Sequence, residues 1–421
     1  MPAPVRTYSL ERKNLGPDLV ESILADDRRK PLITIDSVAV ERGRIPRYTG
    51  EFWTSRQRQA SSLHEISYRA CFKPQLPRFF IQRLSQPGDV IYDPFMGRGT
   101  TLLEAALLDR KVIGNDINPL CKILVKPRLS VPEMADLEER IDRIPLRMNG
   151  GAEFDLSMFY HPKTEAEIIS LRNYLARRHA SRTEDNLDRW IRMIATNRLT
   201  GHSAGFFSVY TLPPNQAASA ENQRKINRLR RQSPEYRDVK ALIVRKSRSL
   251  MRNLSADQLR SVRTASRSAK FYSANAWQTR GIPDEVVQLT VTSPPFLDTV
   301  NYSQDNWLRG WFNGVDQQEL AKRVTVVRSL ETWRSVMQRV FGELYRITRR
   351  GGFVAFEVGE IRKRNLKLDE VVVPLGRCAG FQCAGILVNK QSFTKTSNIW
   401  GIENNRAGTN TNRIVLFSKT S

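Results

Sequence analysis

A glycine-containing turn that directly follows a short apolar segment constrains the fold more than any other part of this 421-residue sequence. Residues 89–92 predict a strand, and residues 93–101 then read Asp-Pro-Phe-Met-Gly-Arg-Gly-Thr-Thr. A Leu- and Ala-rich helix is predicted over 101–109 and a second strand over 111–115. A strand–turn–helix–strand unit is typical of doubly wound α/β folds. The sequence therefore predicts an α/β protein with a ligand site at the carboxyl edge of its sheet.

The side chains around this turn predict a nucleotide-type cofactor. Gly97 and Gly99 let the backbone turn tightly and approach a ligand without a clashing Cβ. Asp93 closes the first strand, and Asp116 follows the second, where an acidic side chain can accept hydrogen bonds from ribose hydroxyls. The spacing lacks the third glycine of the dinucleotide fingerprint, which argues against a cofactor with a pyrophosphate.

A second motif, Thr-Ser-Pro-Pro-Phe at 292–296, follows a strand predicted over 286–292. Successive prolines fix φ, remove backbone donors and hold carbonyls in set directions, which suits a pocket for an amino group on a flat ring. Acceptors aimed at the N–H bonds favour a tetrahedral nitrogen and so free the lone pair of a delocalised amine. Ser293 supplies a side-chain oxygen, Pro294 a carbonyl as the second acceptor, and Phe296 a face for stacking.

Together the two motifs resemble the S-adenosylmethionine-dependent DNA amino-methyltransferases, which modify exocyclic amines of bases. The resemblance covers residues 64–121 and 271–417. It implies a Rossmann-like class I methyltransferase sheet, S-adenosylmethionine as cofactor, and extrusion of the target base from the duplex. The positions that it assigns to cofactor binding are Tyr68, Phe72, Lys73, Asp93, Phe95, Gly97, Gly99, Thr101 and Asp116. The positions that it assigns to catalysis are Ser293, Pro294, Pro295 and Phe296.

Two positions within the motifs bear on specificity. Ser293 opens the second motif, and Ser is commoner there in the family's N4-cytosine enzymes, whereas Asp is typical of N6-adenine enzymes. The resemblance therefore favours the N4 amine of cytosine. Arg98 departs from the small residue that is usual in the turn; solvent and a phosphate are both open as its surroundings, and no role is assigned to it. N6-adenine methylation, guanine-N2 methylation of RNA and a DNA-binding scaffold without activity stay open as alternatives.

The segment after the second motif completes the predicted catalytic half. A helix is predicted over 332–348, stopped by the glycines at 351–352, and a last strand over 413–417. Trp307 and Trp311 are better explained by packing of a helix into the core than by contact with a base. The candidates for the lining of the base pocket are Tyr302, Asp305, Asn306 and Trp307.

The order of the elements predicts one α/β core interrupted by a mainly helical insertion. Helices are predicted over 164–179, with Thr164 as N-cap, and over 190–199. A loop follows at Gly201–Tyr210, for which packing is favoured over contact with DNA or a cap on the pocket, and then a basic helical stretch over 222–267. The predicted parts are an irregular arm over 1–60, a cofactor-binding half over 61–125, a basic target-recognition domain over 126–270 and a catalytic half over 271–421.

The charge of the chain predicts a polyanionic partner. Lys and Arg exceed Asp and Glu by 24, and residues 221–280 alone carry sixteen basic and four acidic side chains. Because the sequence has no long apolar span, this balance favours double-stranded DNA over a membrane. The basic residues assigned to DNA binding are Arg224, Lys225, Arg228, Arg231, Arg245, Lys246 and Arg248.

The remaining features predict a cytoplasmic protein of bacterial or phage type that associates with the nucleoid. The first residues carry no secretory signal, and a cognate restriction endonuclease is a candidate partner. The four cysteines show no metal-ligand spacing, so no metal site is expected and the thiols are interpreted as reduced and buried.

Overall fold

The described residues of the computed structural model divide into two compact units. The first unit comprises Met1–Thr54, Ile282–Thr290 and Arg334–Ser421, and the second comprises Ser55–Gly281 and Val291–Trp333. The residues that the structure describes are 17–25, 33–41, 43–53, 60–68, 71–146, 151–212, 217–295, 305–323, 329–361, 366–390 and 411–420.

Strands and helices both occur in each unit. The strands of the described residues are β1 Thr34–Val40, β2 Gly43–Gly50, β3 Val90–Asp93, β4 Lys111–Asn115, β5 Lys270–Tyr272, β6 Val287–Thr292, β7 Thr348–Val358, β8 Glu360–Ile361, β9 Leu366–Lys367, β10 Gln382–Lys390 and β11 Thr411–Ser418. The α-helices of the described residues are α1 Pro17–Ala25, α2 Gln75–Leu84, α3 Thr100–Leu107, α4 Pro119–Val125, α5 Met134–Arg143, α6 Pro162–Ala180, α7 Asn186–Arg198, α8 Ala220–Arg230, α9 Val239–Met251, α10 Ala256–Ser268, α11 Trp307–Asn313, α12 Gln317–Arg323, α13 Leu330–Ile347 and α14 Leu368–Cys378.

The sheet of the second unit is parallel. β3 pairs with β4, with Val90 opposite Lys111, and β4 pairs with β5, with Ile113 opposite Lys270. The end of β6, Val291–Thr292, also belongs to this unit and neighbours β3. The path β3–α3–β4 is the strand–turn–helix–strand unit that the sequence predicts, so the α/β, Rossmann-like class is confirmed.

Close packing of α3 on this sheet depends on one glycine. Leu102 and Ala105 are fully buried where the helix packs on β3 and β4. At Gly114 of β4, a Cβ would lie 2.4 Å from Leu102 Cδ1 and 2.6 Å from Met96 Sδ. No side chain fits in that space without displacing the neighbours, so the helix and the strand approach each other only because this residue is glycine.

The region between the two motifs is helical, as the sequence predicts. Trp190 of α7 is fully buried and donates from Nε1 to Ser247 Oγ of α9 at 2.9 Å. Buried Asp188 forms a capping box at the start of α7 and accepts hydrogen bonds from Arg140 and Arg178. The basic stretch predicted over 222–267 consists of three helices, α8, α9 and α10.

The predicted N-cap of α6 is wrong by three residues. The helix begins at Pro162, and the cap is His161, whose ring nitrogen accepts from Lys163 N. Thr164 lies buried in the first turn, where its hydroxyl donates to the carbonyl of Arg237 at 3.0 Å and accepts from its N–H at 2.7 Å. The hydroxyl therefore bonds the backbone of a distant segment instead of capping the free N–H groups at the start of its own helix.

The first unit contains a mainly antiparallel sheet in the order β1-β2-β10-β11-β7-β6. β2 and β10 pair in parallel, whereas β1 with β2, β10 with β11 and β11 with β7 are antiparallel. Buried Asn389 of β10 fixes the chain after β2, because its Oδ1 accepts from Phe52 N at 2.7 Å and Trp53 N at 3.2 Å. An aromatic cluster in the core consists of Phe341, Phe356, Phe381 and Phe417.

Two features of the first unit differ from the sequence expectation. Residues 1–60 contain α1 and the β1–β2 hairpin, where an irregular arm is expected. Most side chains of β1 are exposed, so this strand carries no apolar alternation that could reveal it. In addition, α13 ends at Ile347, and the glycines at 351–352 lie inside β7 instead of separating the helix from the strand.

Two helix-interior glycines of this unit are expected to respond in opposite ways to alanine. In Gly376→Ala, the new Cβ would lie 2.3 Å from Phe417 Cε1, so overpacking should destabilise the protein by about 1–3 kcal/mol. In Gly342→Ala, nothing lies within 4 Å of the new Cβ, and helix propensity should stabilise the protein by about 0.5–1 kcal/mol. Thermal unfolding of both variants measures this. Equal melting temperatures would contradict the close contact between α14 and β11.

Candidate functional site

The ends of two neighbouring strands bring the two sequence motifs together. Thr292, the last residue of β6, donates from Oγ1 to Oδ1 of Asp93, the last residue of β3, at 2.7 Å. Both side chains are almost completely buried. Thr101 at the start of α3 donates from Oγ1 to the carbonyl of Val291 at 3.0 Å. The residue that precedes the glycine turn and the residue that precedes Ser293 are therefore in direct contact.

The turn requires glycine at two positions. Gly97 and Gly99 have φ values of 48° and 74°, in the left-handed region. A Cβ at Gly99 would lie 2.5 Å from Val125 Cγ2. A Cβ at Gly97 would lie 3.5 Å from the ring of Tyr68, whose hydroxyl is 3.4 Å from Cys121 Sγ. The ring of Tyr68 therefore packs beside the turn, close to the backbone that the sequence assigns to cofactor binding.

Asp116 retains acceptor capacity for a ligand. Its Oδ2 accepts from Gly97 N and its Oδ1 from Asn118 N, both at 2.9 Å. An ionised carboxylate offers about four acceptor sites, so the two backbone bonds and the bond from the Cys121 thiol leave room for a ligand hydroxyl. Burial raises the pKa of Asp116, and the N–H groups of Asn118 and Gly97 oppose that rise. This arrangement suits the predicted ribose contact.

Burial changes the acidity of Asp93. It raises the pKa of this carboxyl from 3.8 to about 7, although hydrogen bonds from Thr292, Phe95 and Thr101 lower it. The nearby charge of Asp116 raises the pKa further. At neutral pH, Asp93 is therefore a mixture of protonated and ionised forms, and a bound cation would favour the ionised form.

Arg98, to which the sequence analysis assigns no role, points inward and is almost completely buried. Its Nη1 donates to the carbonyls of His64 at 3.2 Å and Ile66 at 2.9 Å, and these carbonyls satisfy the buried guanidinium. Arg128 is also buried, donates to the carbonyls of Leu63 and Arg98, and has its pKa lowered to about 9 by burial. The two arginines tie the segment that contains His64 to the glycine turn.

The second motif keeps acceptors available where it is described. Ser293 is half-buried, and its hydroxyl has no hydrogen-bond partner among the described residues. The carbonyl of Pro295 accepts from Nε1 of Trp333 at 3.1 Å. Of the two proline carbonyls, that of Pro294 is therefore the candidate for the second acceptor. The predicted site residues that lie outside the described part are Phe296 and Tyr302.

The other predicted cofactor positions line the same part of the second unit. Phe72 and Phe95 are half-buried, and Lys73 is exposed. Although the side chain reaches solvent, partial desolvation of its ammonium group and the charge of Arg98 lower the pKa of Lys73. Their contact with a cofactor stays a prediction.

The residues after the second motif pack into the helical region. Trp307 donates from Nε1 to the carbonyl of Ala218 at 3.1 Å, and its ring lies against Phe154 and Phe159. Trp311 donates to Glu153 Oε2 at 3.0 Å. Both tryptophans thus have the packing role that the sequence favours, and the lining role proposed for Trp307 is not supported by these contacts.

The basic residues assigned to DNA differ in how their charge is compensated. Among the described residues, Arg228 and Arg231 form no ion pair and lie exposed, whereas Arg245 donates to the carbonyl of Ala204 at 2.9 Å. The remaining four have carboxylate partners: Arg224 with Asp155, Lys225 with Glu221, Lys246 with Glu65 and Arg248 with Glu138.

Sequence reasoning missed two residues that hold the site. Asn115 is fully buried at the end of β4 and donates to the carbonyls of Pro94 at 3.2 Å and Ala274 at 2.9 Å. A polar residue that ends an apolar strand is a weak signal for such a role. Arg128 lies in the helical turn after α4, and nothing in its sequence neighbourhood indicates that it reaches the turn.

The described residues also bear on metal and membrane binding. They contain no group of three or more His, Cys, Asp and Glu side chains that could hold a metal ion. All four thiols are free; Cys121 and Cys383 are buried, whereas Cys71 is half-buried and Cys378 is exposed, which differs from the expectation of four buried thiols. In this part of the chain, no helix combines the length and the apolar character that crossing a membrane requires.

The segment that holds the cofactor half of the site matches a known family. Residues 35–126 match the family of N6- and N4-amino-methyltransferases, described as DNA methylase. Type II methyltransferase M.MjaII of Methanocaldococcus jannaschii is 34% identical over 86 residues, 20% of this chain and 16% of that protein. Type II methyltransferase M.MvaI of Kocuria varians is 33% identical over 97 residues, 22% of this chain and 20% of that protein. Orphan methyltransferase M.BamHII of Bacillus amyloliquefaciens is 44% identical over 62 residues, 14% of this chain and 23% of that protein.

The match over residues 35–126 confirms the predicted resemblance to the DNA amino-methyltransferases and supports S-adenosylmethionine as the cofactor. The chain spans only 16–23% of the length of these relatives. The match does not distinguish N4 from N6 enzymes. The residues present fit this cofactor: the turn is open to close approach at Gly97, Asp116 can accept a hydroxyl, and a cation would ionise Asp93.

Replacement of Asp93 by asparagine is expected to change the pH dependence of stability. The pKa of Asp93 is raised from 3.8 to about 7 in the folded state, so the folded protein keeps a proton that the unfolded chain loses. Wild-type stability should therefore fall relative to Asp93→Asn between about pH 4 and about pH 7, and the difference should level off above that range. Calorimetric melting temperatures across this range measure the effect.

The same carboxyl should release a proton when a cationic cofactor binds near pH 6. Titration calorimetry of S-adenosylmethionine in buffers of different ionisation enthalpy should detect this release in wild type and not in Asp93→Asn. The exposed control Asp142→Asn should retain the wild-type profile in both experiments. Parallel pH profiles for wild type and Asp93→Asn would show that burial does not perturb this group.

Proposed function

We propose that this chain is a site-specific DNA methyltransferase that transfers a methyl group from S-adenosylmethionine to the N4 amine of a cytosine in duplex DNA. The observation that carries the proposal is the 2.7 Å hydrogen bond from Thr292 Oγ1 to Asp93 Oδ1. It joins the strand end that leads into the cofactor turn to the strand end that leads into the amine pocket. A methyl donor and an amine must be held in line, and two loops that start side by side suit that requirement.

The cofactor half supplies binding and orientation. Asp116 would accept a ribose hydroxyl, and the backbone around Gly97 and Gly99 would approach the methionine portion closely. Asp93 supplies a carboxylate whose ionised form a cation stabilises. When bound, S-adenosylmethionine supplies an electrophilic methyl group on a sulfonium centre. Tyr68, packed beside Gly97, would limit the access of water to that end of the pocket.

The second motif prepares the amine for attack. Ser293 Oγ and the carbonyl of Pro294 would accept the two N–H bonds of the exocyclic amine, which favours a tetrahedral nitrogen with a free lone pair. The prolines limit backbone motion, and the bond from Trp333 to the Pro295 carbonyl fixes that peptide in one orientation. The acceptors are therefore oriented before a base arrives.

The choice of cytosine rests on the hydroxyl of Ser293. A serine at this position is the feature by which the sequence resembles N4-cytosine enzymes, and the structure leaves that hydroxyl available among the described residues. N6-adenine methylation uses the same cofactor half and is the alternative outcome of the test below.

Duplex DNA as the substrate is supported by the charge of the helical region. Arg228 of α8 and Arg231, the C-cap of that helix, have no carboxylate partners in the described part of the chain, and Leu229 between them is 85% exposed. An amine inside a duplex is out of reach of any pocket, so the target nucleotide would be extruded from the stack. Three further points stay predictions. They are the role of residues 126–270 as target-recognition domain, the partnership with a cognate restriction endonuclease, and the association with the nucleoid.

Ser293→Ala is expected to lower methyl transfer by about 10²–10³-fold, because one acceptor for the developing charge is lost. The affinity for S-adenosylmethionine should change little, since the residue faces the amine. Transfer of labelled methyl groups to unmethylated genomic DNA measures the rate, and titration calorimetry measures cofactor binding. The matched control is Ser233→Ala, an exposed serine that also precedes a proline; it should keep the wild-type rate.

Digestion of the methylated DNA to nucleosides identifies the base by mass spectrometry. N4-methylcytosine is the expected product, whereas N6-methyladenine would assign the alternative amine. Labelling of transfer RNA in place of DNA would move the assignment to RNA. Full activity of Ser293→Ala would rule out the proposed role of this hydroxyl.

A further inference from the structure

Five cations of the second unit interact with one another at one cluster, in which Glu65 pairs with Lys246 and Arg252. This arginine cluster lies beside Tyr68 and the loop Gly201–Tyr210. Its cations are Arg198, Arg245, Lys246, Arg252 and Arg309, and the carboxylates that face them are Glu65 and Asp305.

The loop at this cluster has a fixed half and an exposed tip. Phe206 and Phe207 are buried, and Gly201 pairs with Tyr210 to close the loop, as the sequence predicts for a packed segment. Residues 202–204 are exposed. The tip is therefore a small-residue turn that is held in place by its own aromatic half and remains accessible from solvent.

Two guanidinium groups converge on this tip. Arg198 lies with its guanidinium 3.9 Å above the ring of Phe206 and donates to the carbonyl of Gly205 at 3.4 Å. Arg245 donates to the carbonyl of Ala204 at 2.9 Å. A Cβ at Gly205 would lie 3.6 Å from Arg245 Nη2 and 3.8 Å from Arg198 Nη1. Both positive groups thus approach the same small volume beside an exposed turn.

The charge of the arginine cluster is only partly neutralised by the described residues, because Glu65 pairs with Lys246 and Arg252 and the other three cations have no carboxylate partner there. Among the described residues, Arg198, Arg245 and Arg309 form no ion pair, although Arg198 and Arg309 are 8% and 4% exposed. Burial and the charges of Arg309 and Arg245 lower the pKa of Arg198 to about 10. Burial and the charge of Arg198 lower the pKa of Lys246 to about 8. An anion bound here would relieve both the desolvation and the mutual repulsion.

We propose that Arg198, Arg245 and the turn at 202–205 bind a phosphodiester of the DNA strand that carries the target nucleotide. This inference rests on the proposed function and adds a defined backbone contact to it. Guanidinium groups are suited to phosphate because they donate two parallel hydrogen bonds. The exposed tip and exposed Arg245 make the site reachable by a macromolecule.

The position of the arginine cluster fits a phosphate close to the extruded base. Burial lowers the pKa of Arg309, and nearby Asp305 opposes that shift. Tyr68 packs beside Gly97 of the cofactor turn. Asn197, which precedes Arg198, donates to the carbonyl of Ser67 at 3.0 Å. The hydrogen bond of Asn197 therefore connects the residue before Arg198 to the segment whose next residue, Tyr68, packs beside the cofactor turn.

Arg245→Gln tests the proposal, because an exposed side chain is changed and the amide can still donate to Ala204. Binding to a 30-base-pair duplex of arbitrary sequence is measured by fluorescence anisotropy at several salt concentrations. Loss of one phosphate contact should reduce the slope of log Kd against log salt by about 0.9. The affinity should fall to a similar degree for unrelated sequences, because a phosphate contact carries no sequence information.

Two further variants control for charge and for folding. Arg245→Lys keeps the positive charge and should keep the wild-type salt slope. Arg260→Gln removes an exposed arginine that pairs with Asp257 elsewhere on the unit, and it should also keep the slope. If Arg245→Gln and Arg260→Gln give the same slope, the phosphodiester site is overturned.

Cofactor binding and methyl transfer separate this proposal from the proposed function. The affinity of Arg245→Gln for S-adenosylmethionine should equal that of wild type; a loss of that affinity with an unchanged DNA slope would assign the arginine cluster to the cofactor carboxylate and overturn the proposal. If Arg245→Gln reduces the salt slope but the wild-type protein methylates no base, the phosphodiester site is supported and the proposed methyltransferase function is overturned. If the wild-type protein methylates DNA but Arg245→Gln leaves the salt slope unchanged, the methyltransferase function is supported and the phosphodiester site is overturned.

Discussion

The site depends on one buried hydrogen bond between residues that are far apart in the sequence. Thr292 donates to Asp93 at 2.7 Å, and both groups are almost inaccessible to water. A buried carboxylate without partners would be strongly destabilising, so this bond both fixes the ends of β3 and β6 and helps Asp93 to remain inside the protein. The rest of the site is positioned by this bond. The glycine turn follows Asp93 in the chain, and the Ser-Pro-Pro segment follows Thr292.

Local patterns in the sequence predicted the elements around the cofactor well. The strand–turn–helix–strand unit at β3, α3 and β4, the helical character of 126–270 and the last strand were all predictable, because apolar periodicity and glycine positions act over a few residues. The two motifs could be assigned to one site because parallel strands end at the same sheet edge. Residue types at turn positions thus carried most of the information about the site.

The parts that the sequence did not predict depend on contacts between distant residues. Arginine is a residue type that usually lies at the surface. The guanidinium of Arg98 nevertheless lies inside the protein, where it donates hydrogen bonds to the carbonyls of His64 and Ile66. Thr164 has the residue type of a helix cap, but the backbone of Arg237 competes successfully for its hydroxyl. The strand β1 was missed because most of its side chains are exposed. For Arg98 and Thr164, the decisive partner is not a sequence neighbour.

The guanidinium groups of Arg98 and Arg128 have a further consequence for ligand affinity. They bind backbone carbonyls of the turn and of the segment 63–66, so the shape of the turn is imposed by the protein itself. Fixing the backbone of one residue costs about 1–2 kcal/mol of conformational entropy. Folding has already met that cost for the turn, so little of the cofactor's interaction energy is consumed in ordering a loop, and the pocket is preorganised.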